Sequence, residues 1–178
     1  MMFEIKPFAP EAYRQQTRRS TLILAGLFLV LSLALSSAAV LLFGESGGDN
    51  FRFNLAGVIA ALLITSALVR YKFCSQPWMA AAVYGWQLKR SLMSITNVMH
   101  HVNAGVLAND PAAMYVLRFY HLGLTQMHQL DGNASALNQT LRDSDQHKAC
   151  MLALALDPEQ KRLDPAWLTA VKQASASK

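Results

Sequence analysis

The sequence predicts an all-α fold, a two-helix transmembrane hairpin followed by a cytoplasmic antiparallel helical bundle, and three observations carry that prediction. Two apolar runs of spanning length contain no charged residue. Beyond them, apolar residues recur at steps of three and four, the period of a helix. No stretch alternates apolar and polar residues as a half-buried strand does.

Residues 1–19 form a polar arm that reads as a cytoplasmic juxtamembrane segment, helical from near Pro10. The first apolar run, residues 20–43 with the sequence TLILAGLFLVLSLALSSAAVLLF after Ser20, is long enough at about 1.5 Å per residue to cross a hydrocarbon core of about 30 Å. A cleaved leader peptide is the rival reading, with Ser36, Ser37 and Ala38 as small residues for a peptidase. The long polar arm and the continuation through Val40, Leu41, Leu42 and Phe43 favour the membrane helix. The periplasmic loop, residues 44–52, is glycine-rich and too short to hold a domain, so the two helices must be antiparallel. Residues 53–69 make the second span, at the short end of the spanning range.

Arg14, Arg18 and Arg19 precede the first span and Arg70 and Lys72 follow the second, against Arg52 alone in the loop beside Glu45 and Asp49. The positive-inside rule then puts both termini in the cytoplasm of a bacterial inner membrane, with those five cations facing lipid headgroups. Within the spans, the pairs Ser32/Ser36, Ala34/Ala38 and Gly57/Ala61 place small residues one helical turn apart, which lets backbones approach. Packing within one hairpin accounts for them, and contacts between protomers are the alternative.

Residues 70–172 are long enough for a domain with its own core. From Trp78 to about Leu107 there is no proline, and Leu88, Leu92, Ile95, Met99, Val102 and Val106 form a heptad seam. Met79, Trp86, Met93 and Leu107 form a second stripe, so one long helix with two apolar faces is expected, needing neighbours on both sides. Asp110 caps and Pro111 opens the next helix, which stops at Gly132. A third runs from Ser135 to about Leu156, where Asp157-Pro158 breaks it, and Asp164-Pro165 starts a last one through Val171. Residues 173–178 are expected to fray.

The chain has 178 residues, 53% hydrophobic and 15% charged, which excludes a disordered tail and is too apolar for an ordinary soluble domain. Its two cysteines, Cys74 and Cys150, make no disulfide framework. Nucleotide-binding loops, HExxH and GxSxG are absent, so the sequence offers no catalytic residues and points to a protein that is not an enzyme. A net charge of +5 raises nucleic acid as a partner, but the excess lies beside the apolar spans, and the helix-turn-helix-like stretch 124–140 lacks basic density. No nucleic-acid partner and no cofactor are expected.

Five histidines lie in the polar half, and His121, His128 and His147 with Cys150 are the candidate metal ligands, because imidazole and thiolate both bind transition metals. Their spacing argues for ordinary packing instead. His121 and His128 share a face but stand about 10 Å apart along the axis. Each of Asp110, Asp131, Asp157 and Asp164 sits at an expected helix end, where capping explains it.

The segments AYRQQTRRSTL, FGESGGDNFRFNL, QPWMAAAVYGWQLKRSLMSITNVMHH and RFYHLGLTQMHQLDGNASAL, spread over nearly the whole chain, resemble an uncharacterised gammaproteobacterial family of small two-span inner-membrane proteins, typical of pseudomonads and described as a domain of unknown function. The resemblance implies an inner-membrane location and a two-span layout, and it transfers no active site. The residues themselves suggest a non-enzymatic inner-membrane protein that works as an assembly scaffold or accessory subunit. Its partners would be the lipid bilayer and either further copies of itself or a larger membrane complex, with the heptad seam, Trp86 and Met93 as interface. The alternatives are a homo-oligomeric channel lined by Ser32, Ser36 and Thr65, and a histidine-based metal or cofactor binder.

Overall fold

The computed structural model describes residues 3–176, the last two by backbone alone. Its elements are β1 (Phe3–Glu4), α1 (Pro10–Phe43), α2 (Phe51–Leu68), a π-helical turn (Val69–Phe73), a 3-10 turn (Pro77–Met79), α3 (Ala80–Thr96), α4 (Met99–Leu107), α5 (Pro111–Asp131), α6 (Ala134–Ala153), β2 (Arg162–Leu163) and α7 (Pro165–Ala176). The fold is all-α. Two units divide the described residues: a bundle unit made of residues 3–14 and 84–176, and a hairpin unit of residues 15–83 inserted between those segments.

In the hairpin unit, α1 and α2 are long and apolar enough to cross a membrane, α2 reaching that length by continuing through the π-helical turn to Phe73. The expected short second span thus gains a full turn. Gly57 explains how closely the two helices approach. A Cβ built there would lie 2.5 Å from the Ser36 Cα, so only glycine lets the backbones meet. Ser36 Oγ donates to Asn54 O at 3.0 Å beside the crossing. Gly57, Ala61 and Thr65, one turn apart, are the buried residues of α2. Outward-facing residues such as Leu29, Val30, Leu33, Leu62 and Leu63 are exposed and apolar.

The bundle unit is organised around α5, which touches α4, α6, α7 and β2. Its ends follow the sequence signals. Asp110 Oδ2 accepts from Ala113 N at 3.0 Å, Pro111 takes the first position, and Gly132 closes the helix in the left-handed region at φ 73°. Ile95, Val98, Val102, Val116 and Phe119 form the centre of the core, joined by Leu163 and Val171. Leu88 and Leu92 come down on Gly123, where α3 meets α5.

Three expectations are corrected. The single helix over 78–107 is two helices, broken at Asn97 and Val98, where Val98 N bonds to Ile95 O at 2.9 Å. Thr96, Asn97 and Val98 are weak helix formers, and the bend keeps Ile95, Val98 and Val102 in one core. The tail expected to fray from 173 is helical to Ala176, because Val171 is buried and the alanines that follow favour helix; residues 177–178 lie outside the described residues. The N-terminal arm turns helical at Pro10 as expected, but carries a short strand before it, where none was expected. Phe3 and Glu4 pair antiparallel with Leu163 and Arg162, Ile5 N donates to Lys161 O at 2.8 Å, and Phe3 stands edge-on to Phe119 with ring centroids 6.3 Å apart.

Tyr84 fastens that arm. Its hydroxyl accepts from Lys6 N at 3.0 Å and donates to Gln126 Oε1, while Gln126 Nε2 donates back to Lys6 O. Phe8 packs on the same ring at 4.7 Å between centroids. Burial pushes the Tyr84 phenol pKa up, which keeps it a proton donor.

Two outcomes follow from this packing. Gly57→Leu should force α1 and α2 apart and destabilise the hairpin by about 1–3 kcal/mol, read as a lower thermal midpoint in detergent; an unchanged midpoint would show that the crossing tolerates a side chain. Tyr84→Phe should release residues 3–8, raising their amide hydrogen exchange, and cost about 1–3 kcal/mol. Protection equal to the parent's would mean that the strand pair holds the arm alone.

Candidate functional site

The most polar buried region of the bundle lies between α5 and α6. Arg118, only 4% exposed, sends Nε to Pro158 O at 2.8 Å and Nη1 to Ser144 O at 3.0 Å and Ser144 Oγ at 2.8 Å. One guanidinium thus binds α5 to α6 and to the segment before β2. Desolvation lowers its pKa, while Glu159 and Asp145 oppose that shift. A buried guanidinium is tolerated only because its donors are satisfied this way.

One turn further along α5, the His121 ring meets that of His147 edge-on at 5.4 Å between centroids. His147 Nε2 lies 3.0 Å from Met114 O and donates to it, which leaves Nδ1 as the acceptor nitrogen of the neutral ring. Burial, foremost, and then the charges of His147 and Arg118 push the His121 pKa down to about 4 against a partial offset from Asp143. Burial also lowers the His147 pKa, with Arg118 adding to it and the Met114 carbonyl opposing. His121 Nδ1 and Thr125 Oγ1 are buried without a hydrogen-bond partner among the described residues. The pair is therefore a neutral, packed seam at ordinary pH.

Of the expected metal ligands, His121 and His147 meet across α5 and α6. Cys150 is exposed, and among the described residues no three His, Cys, Asp or Glu side chains are grouped to hold a metal ion.

The heptad seam is spent inside the chain. Leu88, Leu92, Ile95 and Val102 are buried, and Met99 and Val106 pack half-buried against the same core. The face that remains open on α3 is the other stripe: Trp86 is 59% and Met93 65% exposed, and Arg90 lies over the Trp86 ring at 5.2 Å. Beside it runs a groove of about 450 Å³ lined by Phe3, Trp86, Arg90, Ser91, Leu163 and Leu168. Trp86 and Met93 were legible in the sequence. The groove was not, since Phe3 and Leu163 reach it only through the pairing of β1 with β2.

In the hairpin unit, Gly57 meets Ser36 within the hairpin, while Ala34 and Ala38 are exposed on another side of α1. Ser32 Oγ and Thr65 Oγ1 are buried without hydrogen-bond partners among the described residues. Arg18, Arg19, Arg70 and Lys72 are exposed. Arg14 differs, for it points Nη1 at Leu130 O, 3.5 Å away at the C-terminal end of α5, where a cation is favoured by the helix dipole.

Comparison with known families matches this chain over residues 3–168. The chain belongs to the family described as protein of unknown function (DUF3087). The match takes in the N-terminal arm, both long apolar helices and the bundle as far as Leu168, so hairpin and bundle together constitute the DUF3087 unit. No curated protein and no solved structure matches it.

The histidine seam makes the bundle acid-sensitive in a defined window. Both imidazoles are easier to protonate in the unfolded chain, so their contribution is complete above pH 6.5 and falls as pH drops toward about 4, below which His121 titrates in the folded state too. Unfolding free energies from urea titrations across that window should fall by an amount on the order of 2 kcal/mol for His121, and His121→Gln should flatten the curve. A parent and variant with parallel curves would remove His121 from the acid response.

Proposed function

We propose that this DUF3087 protein is a non-enzymatic inner-membrane scaffold or accessory subunit, anchored by its hairpin and acting through the bundle by self-association or by joining a larger membrane complex. The observation that carries this reading is the division of labour on α3. Its heptad seam closes the chain's own core, while Trp86 and Met93 stay exposed on the opposite side with Arg90 over the indole and a groove alongside. Exposed aromatic and methionine side chains flanked by arginine are the composition of protein interfaces.

Two features support the membrane placement. The outward faces of α1 and α2 are apolar, which suits hydrocarbon better than water. The residues that precede the hairpin and those that follow it belong to one folded unit, so a hairpin that spans the bilayer leaves and returns on the same side. The cations flanking the apolar segments favour the cytoplasm as that side. A ring-shaped channel has less behind it, because Thr65 shares the buried face of α2 with Gly57 and Ala61, and Ser36 lies against Gly57 in its own hairpin.

Native mass spectrometry of the gently extracted protein tests the reading. The parent should appear in an assembly, with copies of itself or with other polypeptides at fixed stoichiometry. The double variant Trp86→Glu, Met93→Lys should lose it, an interface aromatic being worth about 2 kcal/mol or roughly a thirtyfold change in affinity, with an unchanged thermal midpoint. A parent that is monomeric, or a double variant that assembles normally, would sink the interface. By contrast, Leu92→Lys should unfold the bundle, since Leu92 is only 5% exposed.

A further inference from the structure

We infer that the basic end of the hairpin unit is a binding site for anionic phospholipid headgroups, held between Arg18 and Arg19 of α1 and Arg70 and Lys72 of the π-helical turn. This rests on the reading that the hairpin lies in a bilayer. All four side chains are exposed, and among the described residues none makes an ion pair. The only carboxylates of the unit, Glu45 and Asp49, belong to the loop at the opposite end of the two helices. Within the unit no carboxylate lies at that end, so the counter-charge of the four must come from outside the unit.

Register brings the four to the same end of the hairpin. The contact of Gly57 with Ser36 and the bond from Ser36 Oγ to Asn54 O fix how α1 and α2 run past each other. Followed away from the loop at about 1.5 Å per residue, that register brings Arg70 and Lys72 level with the turn of α1 just beyond Arg19, an offset of well under about 10 Å. The same end is closed by buried Ser20, whose Oγ donates to Trp78 O at 2.6 Å. The π-helical turn, in which Cys74 N reaches back to Val69 O at 3.0 Å, widens the last turn of α2 and resets the direction of the side chains it carries.

The surroundings select a lipid phosphate over a free one. Immediately past the cations, Leu22 and Ile23 are exposed and offer an apolar wall for acyl chains. Tyr71 is 81% exposed, and Trp78 packs on Phe73 with centroids 5.4 Å apart, rings of the kind that settle at headgroup depth. Guanidinium forks match the geometry of a phosphate diester, and Lys72 adds a point charge.

The test reconstitutes the full chain into nanodiscs of phosphatidylglycerol mixed equally with phosphatidylcholine and counts the lipids retained in native mass spectrometry. Phosphatidylglycerol should be retained preferentially, and R18Q/R19Q/R70Q/K72Q should lose that preference by about fivefold per cation removed. R18K/R19K/R70K, which keeps the charge, should retain most of it, and R142Q/K148Q on α6 should leave it unchanged. Equal retention of the two lipids by the parent, or an unaltered preference in the fourfold glutamine variant, overturns the site. Displacement of phosphatidylglycerol by millimolar inorganic phosphate would identify a free-phosphate site and overturn the lipid assignment. Failure of the parent to enter the nanodisc would overturn both the site and the membrane reading, whereas entry without lipid preference removes the site alone.

Discussion

The hydroxyl of Tyr84 is the point through which the chain closes on itself. It joins the peptide at Lys6 to the Gln126 amide on α5, and around it Phe3 and Phe8 stack on the tyrosine ring. The bundle is therefore built from both ends of the sequence, and the hairpin is an insertion within it. Because an arm of so few residues has little core of its own, its order depends on hydrogen bonds and ring contacts to residues more than seventy positions away. Once the arm is fixed, β1 can cover β2, Leu163 is buried, and the groove beside Trp86 acquires a wall.

The two units distribute their side chains in opposite ways with the same secondary structure. In the bundle, large side chains such as Phe119, Leu88 and Ile95 are withdrawn from water and the exposed surface is mixed. In the hairpin, the large side chains point outward and the small ones, Gly57 and Ala61, point inward. Such an inversion suits the proposed membrane placement, since lipid offers no hydrophobic drive between helices and close backbone packing supplies the attraction there. The carbonyl of Asn54, already part of the α2 backbone pattern, gains Ser36 as a second donor across the crossing.

Between α5 and α6 the bundle accepts a burden that simple apolar packing would avoid. Arg118 is held by the carbonyls of Ser144 and Pro158 and by the Ser144 hydroxyl, and His147 is held by Met114 O. These bonds have directions, so they fix the register of α6 on α5 more tightly than leucines would. The cost is a seam that loses stability when its imidazoles are protonated.

The sequence by itself determined most of the helices and their order, because these were written in local chemistry: uncharged runs for the long helices, Asp110-Pro111 and Gly132 at the ends of α5, Asp164-Pro165 at the start of α7, and apolar steps of three and four between them. It also showed that the first helix after the hairpin has two apolar faces. Which face is spent internally was decided only by the tertiary structure, where Leu88 and Leu92 dock on Gly123 and leave Trp86 and Met93 outside. The bend at Val98, the docking of Phe3 to Phe8 and the meeting of His121 with His147 were likewise illegible. Each depends on contacts between residues distant in the chain, and periodicity, capping and turn chemistry act over only a few residues.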